Sequence, residues 1–389
     1  MVSIDEKPHI AEGLEGVYFA TSDASFIDGT AGKLLYRGYD IHDLAEKATM
    51  EETVYLLLYK KLPNRTELAA FSDQLKANRE LPAPIIDIIR AVKRAHPMDV
   101  LRTAVSALAA FDPETELKPA MQNLQPYLDS VLRKGIRLTS QSTSIVAAHY
   151  RITHGLEPIA PSKTLGHAAN FLYMLTGKEP SEEEARILDV DFVLHAEHGA
   201  NASAFAARVA ASTWADLHCA MASAIGTLKG PAHGGAAEAV MTMCMEIGSP
   251  ENVDKYLDDR FARKERIMGF GHRVYKVEDP RARHLRDRAR DLSEKKGQPQ
   301  WFAILQQIEK RMERYHDRGI YVNVDFYAGA IYYLLGIPEE QFVPMFALGR
   351  VPGWTLQCIE QYQNNKLLRP LTYYTGPMDV PFVPIDQRS

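Results

Sequence analysis

From Asp40 onward apolar residues recur at intervals of three and four along almost the whole chain, a period that lines one face of an α-helix and not one face of a strand. The pattern opens with Ile41, Leu44 and Ala45 behind Asp40 as a candidate N-cap. Thr49-Met-Glu-Glu52 has the capping-box spacing and leads into Val54, Leu57 and Leu58, with Pro63 expected to end that helix. Further starts stand at Asn64-Arg-Thr-Glu67, at Pro97, at Ser181-Glu-Glu-Glu184 and at Ser249-Pro250, the last with proline at the first helical position. The implied count is well above a dozen helices. Only the segment before Asp40 reads as β: Val17, Phe19, Phe26 and Ile27, then Leu34 to Arg37, bracketed by Ser22-Asp23 and Asp28-Gly29 turn signals. An all-α fold with a small N-terminal β-hairpin is expected.

A chain of 389 residues exceeds the usual span of one domain, about 150 residues, so two or three domains are expected. Its net charge of -5 and pI near 6.2 argue against nucleic-acid or membrane-surface binding. Met1 to Gly13 has no basic stretch followed by an apolar one and does not read as a secretory leader. The Ala-rich run from Ala200 to Ile225 comes nearest to a membrane span, but Arg208, Asp216 and His218 interrupt it, and buried helix is the better reading. Segment 199–240 is dominated by Ala, Gly and Ser, whose small side chains let helix axes cross closely. Cys219, Cys244 and Cys358 are odd in number and lie in apolar helical runs, as buried reduced thiols in a cytoplasmic protein would. The charged stretch 282–296 reads as a solvated helix face.

Four of the thirteen histidines stand among Gly, Ala and Asn: His195 and His198 in LHAEHGANAS, His233 in LKGPAHGGA and His272 in MGFGHRVYK. Glycine neighbours permit unusual backbone angles and let a ligand approach the main chain. His195 and His198, three apart on one helical face, lack the partner spacing of a zinc site, and His195 reads as a satisfied core histidine. His233 is expected where a helix begins, so that the macrodipole keeps its ring neutral and able to donate to a developing oxyanion. Segment 269–282 is neither a P-loop nor a dinucleotide fingerprint, and its Arg273, Lys276 and Arg281 suit an anion. Asp325, in NVDFYAGA, has apolar neighbours that would raise its pKa and suit it as a base; it could equally cap the helix that follows.

Taken together, LLYRGYDIHDLA (34–45), LHAEHGANAS (194–203), GPAHGG (230–235), MGFGHRVYKVEDPRA (268–282), NVDFYAG (323–329), RVPGW (350–354) and LLRP (367–370) resemble the citrate synthase family, in order and without large insertion from about residue 10 to 380. The resemblance implies a transferase of the tricarboxylic acid cycle that condenses acetyl-CoA with oxaloacetate and needs no metal or other cofactor, the coenzyme A thioester being substrate. It assigns His233 to the thioester oxygen, Asp325 to the methyl proton and His272 to the oxaloacetate carbonyl. His198, Arg281, Arg350 and Arg369 match oxaloacetate-binding positions, Arg369 reaching from the neighbouring subunit of a homodimer. Gly269, Gly271, Arg273 and Lys276 match the CoA side, with Lys276 standing at an arginine position.

The family architecture implies a large helical domain, 1–235 with 336–389, and a small one, 236–335, closing over the site with glycines near the joins. The N-terminal extension that binds NADH in larger bacterial members is lacking, so that regulation is not expected. Two alternatives differ in class. A 2-methylcitrate synthase would use propionyl-CoA with the same catalytic residues, while a non-catalytic helical scaffold would have no need of His233, His272 and Asp325.

Overall fold

The structure, a computed structural model, describes residues 9–388, so the reading of Met1 to Pro8 as part of no leader lies outside the described residues. The β region is a three-stranded antiparallel sheet in the order β1 (Ser25–Asp28), β2 (Lys33–Tyr36), β3 (Tyr39–Asp40), with Ser25 opposite Tyr36 and Leu35 opposite Asp40. Asp28 makes its turn by accepting from the backbone N–H groups of Thr30 and Ala31 at 2.9 and 2.8 Å. Val17 and Phe19, read as strand, lie outside it, and Phe19 instead packs edge-on against Phe205.

Among the described residues sixteen α-helices follow. α1 (Ile41–Lys47) is capped by Asp40, and α2 (Met50–Tyr59) and α3 (Arg65–Ala77) carry the Thr49/Glu52 and Asn64/Glu67 boxes. α2 ends before Pro63, at Lys60, whose left-handed φ of 66° unwinds the chain first. Next come α4 (Ala83–Ala91), α5 (Pro97–Leu108), the long α6 (Gln125–Thr153), α7 (His167–Thr176) and α8 (Glu182–His195), the last opened by the Ser181/Glu184 box. The Ala-rich run is two helices rather than one, α9 (Ala202–Ser212) and α10 (Leu217–Leu228), because Asp216 caps a new start. They pack face to face on Ala204, Ala207, Ala211, Ala220 and Ala224, all buried.

α11 (Ala236–Ile247) precedes a 3₁₀ turn at Pro250–Asn252, so Ser249-Pro250 opens that turn and not the α-helix, which is α12 (Val253–Ala262). α13 (Ala282–Lys295) is solvated only on one side: Leu285, Ala289 and Leu292 are buried, and Arg286 turns inward to Glu278 and Glu309. α14 (Pro299–Met312), α15 (Asp325–Leu334) and α16 (Phe342–Gln363) complete the chain. Cys244 and Cys358 are buried as expected, but Cys219 is exposed, in the first turn of α10 beside its cap.

α16 is buried along nearly its whole length and packs on α6, α8 and α9. Its approach to α6 requires glycine at Gly135, where a Cβ would stand 2.0 Å from Thr355 Cγ2. Gly135→Ala should therefore lower the unfolding free energy by about 1–3 kcal/mol, the usual cost of overpacking a filled core. Denaturant unfolding of the two proteins side by side measures it, and an unchanged midpoint would contradict the contact.

Candidate active site

Gly269 and Gly271 hold φ of 81° and 82°, and the loop they shape runs antiparallel to residues 321–323. Gly271 N–H donates to Tyr321 O at 2.8 Å, Asn323 N–H to Gly269 O at 2.9 Å, and the Asn323 amide to Gly271 O at 3.0 Å. These bonds tie the loop bearing His272 to the start of α15, which bears Asp325. The Nδ1 of His272 accepts from the N–H groups of Val274 and Tyr275 at 3.0 and 3.1 Å. Since a backbone N–H can only donate, the ring proton sits on Nε2. Burial, with the nearby Arg281 charge, lowers His272 to about 4, so the ring is neutral at pH 7.

His233 reaches the same state from another direction. It lies in a turn closed by its own N–H on Gly230 O at 2.8 Å, ahead of α11, so that helix is not the one it meets. Its Nε2 accepts from the backbone N–H of Ser203 at 3.3 Å, in the first turn of α9, and lies 2.9 Å from the Ser203 hydroxyl. That places the ring proton on Nδ1. Burial and then the charge of Arg350 lower it to about 4, and these, rather than the dipole of α11, keep it neutral.

Asp325 is the first residue of α15, and the capping contact at this end belongs to Asn323, whose Oδ1 accepts from Asp325 N–H at 3.1 Å. Among the described residues no side chain hydrogen-bonds the Asp325 carboxyl group. Burial raises it to about 6, opposed by His195 and Arg281. His195 is not the satisfied core residue expected. Its Nδ1 lies 2.8 Å from Asp191 O, but its buried Nε2 has no partner among the described residues. Asp191 in turn accepts from Tyr332, two turns along α15 from Asp325, at 2.8 Å. The sequence reading missed this bridge because its members are far apart in the chain.

α8 ends at His195, so His198 is not on the same helical face; it lies in the bend that follows. Its ring meets that of His272 edge-on at 5.2 Å, and its Nε2 is 3.1 Å from the Tyr275 hydroxyl. Arg281 is buried and bound two-pronged to Asp279, Nε to Oδ1 at 2.9 Å and Nη2 to Oδ2 at 2.7 Å. Burial works against its charge, but Asp279 outweighs it and holds the guanidinium protonated. Arg350, deep in α16, donates through Nε to His195 O and lies over the Phe346 ring, whose other neighbours are His195 and His233. Phe346 and Asp279 went unread in the sequence, although each stands within one helical turn, or two residues, of an assigned arginine.

The structure thus brings His198, His233, His272, Arg281, Asp325 and Arg350 close to one another, His198 against His272 and each of the others within reach of the Arg281 or Arg350 charge. It does not gather the rest. Gly269 is buried, where a Cβ would meet Phe326 at 2.6 Å, so it serves packing and does not face the cleft. Arg273 and Lys276 are exposed, and Arg273 leans toward Glu15 at 3.8 Å. Arg369 is exposed beyond α16 and makes no side-chain hydrogen bond or ion pair among the described residues. No group of three or more His, Cys, Asp or Glu side chains converges as a metal site among the described residues.

A family model described as "Citrate synthase, C-terminal domain" matches residues 13–371. The citrate synthase of Deinococcus radiodurans is 48% identical over 383 residues, 98% of this chain and 100% of that one. The 2-methylcitrate synthase 1 of Corynebacterium glutamicum is 39% identical over 386 residues, 98% of this chain and 99% of that one. The citrate synthase of Thermoplasma acidophilum, solved as a ternary complex with carboxymethyl coenzyme A and oxaloacetate, superposes with a TM-score of 0.92 at 32% identity, covering 98% of this chain and 100% of that one.

The Asp325 carboxyl, held near 6 against 3.8 when free, makes folding disfavour its ionised form. That cost is present in full above pH about 6 and vanishes as pH falls below about 4. Asp325→Asn should therefore stabilise the protein at pH 8 by on the order of 1–2 kcal/mol, discounted for the side chain's residual exposure. The gain should shrink as pH falls toward 4. Thermal melts at pH 8 and pH 4.5 test this; an equal effect at both would show that the carboxyl is not under strain.

Proposed function

The chain belongs to the citrate synthase family, an acyl-transferring enzyme family, and on that premise we propose that its cleft condenses acetyl-CoA with oxaloacetate and hydrolyses the citryl-CoA to citrate and CoA. One observation carries the reading. Two neutral imidazoles, each with its proton position set by backbone donors, lie near a carboxyl group that has no side-chain partner among the described residues and a pKa of about 6. Proton abstraction beside a thioester needs a base and an oxyanion donor at once. Asp325 takes the methyl proton while His233 Nδ1–H donates to the thioester oxygen. The enol carbon then attacks the ketone carbon, and His272 Nε2–H delivers its proton to the new alkoxide. Water finally cleaves the thioester. These residues supply each charge-neutralising contact themselves.

Oxaloacetate is a dianion, and in this reading Arg350, Arg281 and His198 hold it. Asp279 already balances Arg281, so Arg350 supplies the net positive charge. The rim residues Gly271, Arg273 and Lys276 fit the CoA side, and Gly269 shapes the loop from beneath. We divide the chain into a large domain, 1–235 with 336–389, and a small one, 236–335, that closes over the site. A homodimer in which Arg369 completes the partner's carboxylate clamp accounts for its exposure in a single subunit. A cytoplasmic setting suits three unpaired cysteines. The 39% identity to a 2-methylcitrate synthase favours propionyl-CoA as a second substrate, since one methylene changes discrimination by only about 1–3 kcal/mol.

Release of CoA in the presence of oxaloacetate, with acetyl-CoA and propionyl-CoA compared, tests the function directly; release from neither would end it. Asp325→Asn should lower kcat by about 10²–10⁴ with oxaloacetate affinity nearly intact. In the wild type, kcat should fall on the acid side with an apparent pKa near 6, as the base becomes protonated. For the shared site, an inactive Arg369→Ala subunit mixed with an inactive Asp325→Asn subunit should regain activity, because one site of each heterodimer then carries both defects and the other neither. Heterodimers without activity would mean that Arg369 serves its own subunit.

A further inference from the structure

Between His195 and His198 stands Glu197, a fully buried carboxylate with no part in the chemistry above. Its Oε1 accepts from Gly199 N–H at 2.6 Å, Gln357 Nε2 at 2.8 Å and Ser25 Oγ at 3.2 Å. Its Oε2 is buried and has no donor among the described residues. A Cβ at Gly353 would stand 2.7 Å from that Oε2 and 3.2 Å from Arg350 Cδ, so glycine is what lets carboxylate and arginine lie side by side.

The charges around Glu197 leave Arg350 as its natural partner. From β1 it faces Ser25, and from β2 Tyr36, whose hydroxyl burial raises to about 12 and keeps neutral. From α16 come Gln357 and Arg350, and through Gln357 comes Arg208 of α9, which already has Glu360 at 3.2 Å. In its own loop His198 is held neutral by burial and by Arg281, and Arg281 is matched by Asp279. Among the described residues, then, Arg350 is the cation beside Glu197 without a carboxylate bound to it, and Glu197 Oε2 is the buried carboxylate oxygen beside Arg350 without a donor.

We propose that Glu197 is the counter-ion of Arg350 before substrate binds, and that it takes up a proton from solvent when a substrate carboxylate engages Arg350, coupling binding of the dianion to proton uptake. The proposal rests on the reading that Arg350 binds oxaloacetate. The physical reason is that two carboxylates on one buried guanidinium repel, and the one with the fewest donors is neutralised most easily. Burial, opposed by Arg350, already puts Glu197 at about 7, and loss of Arg350 to the substrate can only raise it. Uptake should thus be about half a proton at pH 7 and approach one at pH 8, and oxaloacetate affinity should fall up to about tenfold per pH unit above that.

Calorimetric titration of the whole enzyme with oxaloacetate, in buffers of different ionisation heat from pH 6.5 to 8.5, counts the protons. The expected result is uptake that rises with pH in the wild type and is lost in Glu197→Gln, whose affinity should be flat with pH. Binding without uptake in the wild type would overturn the proposal, whether or not the variant folds. Uptake that persists in a folded Glu197→Gln enzyme would assign the proton to another group and overturn it as well. If Arg350→Gln bound oxaloacetate as tightly as the wild type, the failure would lie instead with the assignment of Arg350 to the substrate.

Discussion

The approach of α16 to the end of α8 is closer than any side chain at Gly349 or Gly353 would allow, and the rest of the cleft depends on it. A Cβ at Gly349 would stand 2.8 Å from His195 Cβ, and one at Gly353 2.2 Å from Ala196 O. Because the backbones meet there, Arg350 can hydrogen-bond His195 O, and Phe346 can lie against His195 and His233. Trp354, one turn beyond Arg350, donates to Ser203 Oγ at 3.1 Å and so helps hold the residue on which His233 rests. A single helix thereby positions a buried arginine, an aromatic ring against two imidazoles, and the support of one of them.

Within that frame burial acts oppositely on acids and bases. It lowers His233 and His272 to about 4 and raises Asp325 to about 6, so the imidazoles are neutral donors near pH 7 while the carboxylate is ionised and basic enough to accept a proton. The same environment would be costly for unpaired charge, which explains why Arg281 carries Asp279 with it. The site is therefore a balance of desolvated groups in which few charges stand alone.

Local signals were legible in the sequence and distant ones were not. The box at Thr49, the starts at Asn64 and Ser181 and the cap at Asp40 rest on residues within four of one another and formed as read. Six histidines, arginines and aspartate drawn from separate motifs lie close together in the structure. Misreadings came where the deciding partner is remote. The α9 start that supports His233 is thirty residues away, and the Asp191–Tyr332 bond beside His195 spans 141. Asp325 was evenly divided between cap and base because only the placement of Asn323 decides which residue caps. Pattern alone likewise read 282–296 as a solvated face and Cys219 as buried, whereas α13 buries one side and Cys219 is exposed.

The tie between the His272 loop and the chain entering α15 consists of two main-chain hydrogen bonds and one from a side-chain amide to a carbonyl. Main-chain groups are the same whatever residues surround them. The distance between the loop of His272 and the helix of Asp325 is thus largely insulated from changes in the side chains around them. Those side chains can change in volume without loosening the spacing of His272 and Asp325. A scaffold built in this way can be altered around those two residues by small substitutions while their relative placement is kept.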